Sequence, residues 1–160
     1  MTPQDTAHRI IATNSYLTLA TADRDGHPWA SPVAFTSDDG IDFYWVSRPD
    51  SRHSRNLTER PEVAIVIFDS RRPLFTGEAV YLTAHAEQVA LSDLTRCTEI
   101  YRRGLPELTY FTPQHLQPPN PLRLYRAHAV EASVLLADDG PDLRIPVDLP
   151  LRSDTAEFST

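Results

Sequence analysis

Sulfur is scarce in this sequence. Cys97 is the only cysteine, so no intrachain disulfide can form and a four-thiolate metal site is excluded. Long apolar runs are also missing, and none approaches the length that a membrane-spanning helix needs. Met1-Thr2-Pro3-Gln4-Asp5 lacks a basic segment followed by an apolar one, so no export signal is read there and a cytoplasmic location is expected. Net positive charge is absent as well. Asp and Glu number 22 against 15 Lys and Arg, a formal charge of −7, which argues against sequence-independent binding to nucleic-acid phosphates. No Gly-x-Ser-x-Gly elbow occurs, so a Ser-His-acid hydrolase has no support. His85, His115 and His128 have no metal-ligand spacing among themselves or with carboxylates, and no metal site is expected.

What is present fits a soluble globular chain. Its 160 residues suffice for one domain with a core and are too few for two ordinary ones, so residues 1–160 are read as a single domain. Thr6 to Asn14 reads as a short helix with Ile10 and Ile11 inward. Strands then follow closely. Tyr16 to Thr21 leads through the Asp23-Arg24-Asp25-Gly26 turn into Pro28 to Phe35. The two prolines of that second strand imply a sheet edge or a locally open ladder, because proline cannot donate a backbone hydrogen bond. Ile41 to Ser47 is the third strand, with one of Tyr44 and Trp45 expected in the core. Val63 to Phe68 is continuously apolar and is expected to be buried on both faces. Ala79 to Val89 is a longer strand. Leu91 to Arg103 is a helix capped by Ser92, with Leu94, Cys97 and Tyr101 on one face and Gly104 at its end. A Pro-rich loop from Pro106 to Pro121 precedes closing strands at Leu122 to Tyr125 and Ala129 to Leu136. Many short strands with few helices predict a mainly β, α+β chain built as a small antiparallel barrel or sandwich.

The stretch from Phe43 to Pro61 carries the chemistry. A strand ending at Ser47 turns through Arg48-Pro49-Asp50 into Ser51-Arg52-His53-Ser54-Arg55-Asn56-Leu57. Ser51 can cap a short helix, so free backbone N–H groups and the positive helix end face the same point as Arg52 and His53. A local cluster of Arg48, Arg52, Arg55, Arg60, Arg71 and Arg72 on an acidic chain suits a small anion better than a polyanion. Arg52 and Arg55 also admit the plainer reading of solvated residues on a helix.

In order, the helix, three meandering strands, Ser-x-His-x-x-Asn-Leu and a Pro-initiated strand resemble the pyridoxamine 5'-phosphate oxidase-like split-barrel family. The resemblance runs from about Thr6 to Val89. It implies a split antiparallel β-barrel with a few short flanking helices, binding FMN, or in some branches a deazaflavin, at a homodimer interface. Ser51, Arg52 and His53 match the Ser-Arg-Lys segment that holds the flavin phosphate, with His53 standing where Lys is usual. Val46 and Ser47 match the strand end beside the ribityl chain. Ser31, Pro32, Val33 and Ala34 match the strand along the isoalloxazine ring. Two departures stand out. Ser31 and Thr36 occupy places where the true oxidase carries Arg and Lys, and the carboxy-terminal Trp and Arg-x-His pair is missing. The resemblance therefore implies a flavin-dependent oxidoreductase acting on a small molecule other than the vitamin B6 substrate, with no side chain nominated as acid or base. A deazaflavin reductase and a non-catalytic flavin- or haem-binding module are the alternatives.

Overall fold

The computed structural model describes residues 1–136 and 143–151. Helix α1 (Pro3–Thr13) starts with a reciprocal cap: the Thr2 side chain accepts from the Asp5 N–H, and the Asp5 carboxylate accepts from the Thr2 N–H. Strands β1 (Tyr16–Ala22), β2 (Pro28–Ala34) and β3 (Asp42–Ser47) follow, then helix α2 (Arg52–Glu59). Next come β4 (Glu62–Phe68), β5 (Ala79–Gln88), helix α3 (Leu94–Gly104), two 3-10 turns at Pro106–Leu108 and Pro113–Leu116, β6 (Arg123–Leu135) and β7 (Arg144–Val147). All strand pairs are antiparallel, in the order β2-β1-β4-β5-β6-β3, with β7 on β6. No helix among the described residues is long and apolar enough to cross a membrane.

β2 and β3 are the two ends of this sheet. They meet at a single bridge, where Thr36 and Tyr44 exchange both backbone hydrogen bonds (3.0 and 2.9 Å), and no ladder continues from it. The barrel is thus split along the β2–β3 seam. The prolines of β2 sit where that seam wants them. Phe35 donates to the Ser15 carbonyl, so by the alternation of an antiparallel ladder the odd residues of β2 bond β1 and the even ones face the free edge. Pro28 and Pro32 are even, so neither deprives the sheet of a donor.

Two apolar clusters flank β3. Trp45 and Phe43 point into the barrel among Leu17, Leu19, Ile65, Ile67 and Val80. Tyr44 points the other way, into a second cluster with Leu94, Cys97, Tyr101, Phe111 and Leu116 from the α3 region. Tyr44 and Trp45 are therefore both core, and β3 is covered on both faces there, as is the start of β6 at Leu124 and Tyr125. That role was expected of β4, whose outer residues are instead open: Ala64 is exposed, Val66 half-buried and Phe68 48% exposed. The continuous apolar run reads as two-sided burial only if something else covers that face. α3 begins at Leu94 rather than Leu91, and Asp93 rather than Ser92 is its cap residue, with no side-chain cap bond. The closing strands are one, β6. Its central Arg126 and His128 do not break it, because both lie on the outer face paired with Glu87 and Asp42. The sequence reading also missed β7, a four-residue strand that contains Pro146.

Gly104 ends α3 against the Thr36–Tyr44 bridge. A Cβ there would fall inside van der Waals contact with Cβ and Cγ2 of Thr36. Ala in place of Gly normally gains up to about 1 kcal/mol in a helix. Here the overlap is with a residue held by the bridge and dominates, so Gly104→Ala is expected to lose about 1–3 kcal/mol in urea denaturation. A gain in stability would contradict this packing.

Candidate functional site

β3 ends at Ser47, and α2 starts five residues later, at Arg52. The N-cap Ser51 accepts from the Ser54 N–H (3.4 Å). Helix placement is fixed from beneath. Leu57 enters the barrel core, and the buried Asn56 donates to Thr21 Oγ1 on β1 at 2.9 Å. Thr21 Oγ1 in turn lies 3.3 Å from the Trp29 carbonyl on β2. The Asn-Leu of the Ser-x-His-x-x-Asn-Leu pattern is therefore the part that docks the helix, and the Ser and His are the part presented.

Three of the expected residues converge. Ser47 Oγ lies 2.8 Å from His53 Nε2, Ser51 Oγ lies 3.2 Å from the same nitrogen, and the two hydroxyls are 3.2 Å apart. Ser51 also donates to Ser54 Oγ at 2.8 Å. Two hydroxyls and an imidazole nitrogen thus meet at one point beside the first turn of an eight-residue helix. Such a set can hydrogen-bond a phosphoryl oxygen, with the helix end adding its partial positive charge. Burial holds the His53 imidazole below its ordinary pKa, which favours the neutral ring at pH 7. The chain contains no lysine at all, so no ammonium elsewhere can take the place of the one expected here.

Arg52 takes a different direction. Its guanidinium lies over the Trp29 ring, 4.3 Å from the centroid, and so ties the start of α2 to β2. Trp29 itself is 41% exposed. Arg52 also lines an open cavity of about 420 Å³ with Arg24, Arg55, Asn56, Thr58 and two acids, Asp23 and Glu59. The wider arginine cluster is partly neutralised, and Arg72 shares its acid with Arg9. Arg48 pairs with Asp50 (3.1 Å), Arg71 with Asp69 (3.1 Å) and Arg72 with Glu78 (3.1 Å), while Arg55 donates to the Asp50 carbonyl.

The remaining expected residues line the seam. Ser31 and Val33 turn inward and are buried, whereas Pro32 is exposed and Ala34 half-buried on the opposite face. Counting on from the Thr36–Tyr44 bridge, Ala34 stands opposite Val46, and both belong to the set whose backbone groups face the free edges. The seam therefore offers main-chain donors and acceptors without charged side chains. Sequence reading reached these positions through family likeness. It missed Ser54, Asn56, Thr21 and the Arg52–Trp29 stack, for which only the alternation of β1 and the amphipathic pattern of α2 carried a signal.

With this geometry in view, comparisons with known proteins place the chain. The model of the pyridoxamine 5'-phosphate oxidase family matches residues 3–119. No curated protein sequence matches the chain. Among solved structures, a haem-binding protein from Mycobacterium smegmatis aligns with a TM-score of 0.72 at 19% identity, covering 92% of this chain and 58% of that one. HutZ, the haem storage protein of Vibrio cholerae, aligns at 0.61 and 18% identity, covering 89% of this chain and 100% of its own. PhzG from Burkholderia lata 383, in complex with tetrahydrophenazine-1-carboxylic acid, aligns at 0.56 and 20% identity, over 83% of this chain and 81% of that one. These likenesses establish the fold, and this chain spans only 58% of the length of the mycobacterial protein. From the family match over residues 3–119, this chain belongs to the pyridoxamine 5'-phosphate oxidase family.

Proposed function

We propose that this chain binds FMN non-covalently along the β2–β3 seam, between two copies of itself, and serves as a flavin-dependent oxidoreductase for a small molecule. The observation that carries the reading is the convergence of Ser47, Ser51 and His53 at the start of α2, in a chain of this family. These groups hold the phosphate through hydrogen bonds, and Arg52 supplies the nearby positive charge from its seat on Trp29. Val46 and Ser47 border the ribityl chain. Ser31 to Ala34 lie along the ring, with the free-edge backbone of Ala34 facing its polar rim. FMN, when bound, supplies electron or hydride transfer, and the chain supplies position, burial and electrostatics. The dimer covers the open outer face, where Tyr16 (63% exposed) and Phe68 (48% exposed) flank Ala20, Ala64 and Val66 on adjacent strands.

The deazaflavin alternative asks for a broader basic groove, and the pairing of Arg48 with Asp50 and of Arg71 with Asp69 weighs against it. A haem-binding module is favoured by the names of two fold neighbours. At this end of the barrel, however, His53 Nε2 is engaged with two hydroxyls, an arrangement suited to an anionic oxygen rather than to iron. Spectra separate the three. Bound oxidised FMN gives two visible bands, the deazaflavin one main band near the violet, and haem a Soret band.

Purified protein is expected to quench FMN fluorescence on titration, and a colourless protein with no quenching sinks the flavin reading. Replacing His53 by Ala is expected to weaken FMN binding roughly tenfold to a hundredfold, because charge-assisted hydrogen bonds contribute roughly 1.5–3 kcal/mol, and Arg52→Ala, which removes an exposed charge seated on Trp29, is expected to weaken it by less than about tenfold. Riboflavin, which has no phosphate, serves as the control and is expected to bind the variants and the parent alike.

The pH dependence follows from His53. Its depressed pKa leaves the ring neutral at neutral pH, and a bound phosphate favours the imidazolium. Proton uptake by His53 therefore adds to FMN affinity as pH falls through the pKa of the ligand-bound ring, in a range where the FMN phosphate also takes up its second proton, and His53→Gln is expected to remove the histidine's share. For the ligand-free fold the sign is opposite. The folded state holds this proton more weakly than the unfolded chain, so the stability concerned is complete above ~6.5 and is lost as pH falls. Matching pH profiles for the parent and His53→Gln would contradict both statements.

A further inference from the structure

Four titratable side chains stand in one row across the outer face of the sheet. Asp42 on β3 pairs with His128 on β6, His128 pairs with His85 on β5, and His85 pairs with Glu62 on β4. Directly opposed residues of an antiparallel pair share a face. The inward neighbours Phe43, Ala127, Ala86 and Val63 are all buried, which fixes the row on the outside. In sequence the two histidines lie far apart, and nothing in their spacing joins them. The register does.

The ladder also sets how close each pair comes. Val89 donates to the Leu124 carbonyl, and counting back makes His85 and His128 a hydrogen-bonded pair, with Cα atoms about 5.5 Å apart. By the same alternation each histidine meets its carboxylate in the closer, non-hydrogen-bonded pairing, about 4.5 Å between Cα atoms. Asp42 already uses that proximity, for its Oδ1 lies 2.8 Å from His128 Nδ1. A carboxylate on Nδ1 holds the proton there and leaves Nε2 as the lone-pair donor, the arrangement by which an outer carboxylate orients a metal-binding histidine. The His85 imidazole has no hydrogen-bond or ion-pair partner among the described residues. One residue away, the β5–β6 register shifts between Thr83 and Ala84 and leaves Val130 unmatched, a bulge of the kind that re-aims neighbouring side chains.

We infer that His85 and His128 form a surface site for a borderline divalent metal ion such as Zn²⁺, with Asp42 orienting His128 and Glu62 placed to do the same for His85. Two imidazoles at this separation can reach one ion at Zn–N distances near 2.0–2.1 Å, with water in the remaining positions. Capture requires the free His85 ring to turn toward His128. Among the described residues the only three ligand groups already converged are Asp23, Asp25 and His27. There the Asp23 carboxylate is taken up by the backbone N–H groups of Asp25 and His27, so that cluster accounts for itself as a turn.

Calorimetric titration of the EDTA-treated full chain with ZnCl₂ tests the site, alongside His85→Ala, His128→Ala, Asp42→Asn and His27→Ala. One ion per chain is expected. Each of the first two variants should lose affinity on the order of tenfold or more, Asp42→Asn roughly tenfold to a hundredfold, and His27→Ala nothing. Because all these side chains except Asp42 are exposed, circular dichroism should show the His variants folded as the parent. As a second readout, paramagnetic Ni²⁺ should broaden the imidazole resonances of His85 and His128 before those of the other histidines. No binding by the parent, unchanged affinity in both His variants, loss with His27→Ala, or broadening centred on another histidine would each overturn the assignment.

Discussion

Two backbone hydrogen bonds between Thr36 and Tyr44 hold the ends of the sheet together at one point, and much of the molecule is arranged around that point. A fully laddered β2–β3 pair would close the barrel and use up the main-chain groups of Ala34 and Val46. A pair with no contact would leave β3 on an open edge. A single bridge does neither. It requires Tyr44 to face away from the barrel core, and α3 with its following turns supplies the second apolar cluster that buries it. It also requires a close approach by the end of α3, which Gly104 permits.

Helix α2 depends on the same division of labour between strands. Its buried side is fastened to β1 by Asn56 and to the core by Leu57, so the position of its first turn is decided by packing rather than by any ligand. Ser51 then does two things with one hydroxyl oxygen, capping the helix and meeting Ser47 and His53. Under the proposed function, such a site would be in place before its ligand arrived. The ordering entropy that a mobile loop would lose on binding is largely already lost in folding.

The legible part of this fold was its local grammar. Turn residues and strand alternation located most elements to within a few residues, and the prolines of β2 pointed to an edge or an open ladder, of which the topology shows the edge. What the sequence could not show was which face each strand presents to what. Val63 to Phe68 looks two-sided because its outer residues are apolar, yet exposure depends on whether another surface covers them. Tyr44 and Trp45 alternate as a half-buried strand would, yet both are buried because the segment after β5 returns over β3. The site split the same way. Ser47, Ser51 and His53 lie close in sequence and so could be grouped from it. The seat of Arg52 on Trp29, and the adjacency of His85 and His128, are products of register and could not.

In the flavin reading, this chain departs from its family by holding a phosphate with little fixed charge. Lysine is absent, His53 favours its neutral form, and Arg48 and Arg71 are each matched by an acid. Hydroxyl donors and a helix end bind an anion more weakly than a pair of buried cations does, and salt screens exposed Arg52 further. The missing affinity must then come from the ring side, where burial of an aromatic surface scales with area and does not depend on charge. Were FMN to bind along the β2–β3 seam of a homodimer, as proposed above, the second copy would complete that burial. Cofactor affinity and dimer affinity would then be coupled through the same surface, each stabilising the other by the same free energy. A chain with a stronger phosphate grip would have less need of that coupling.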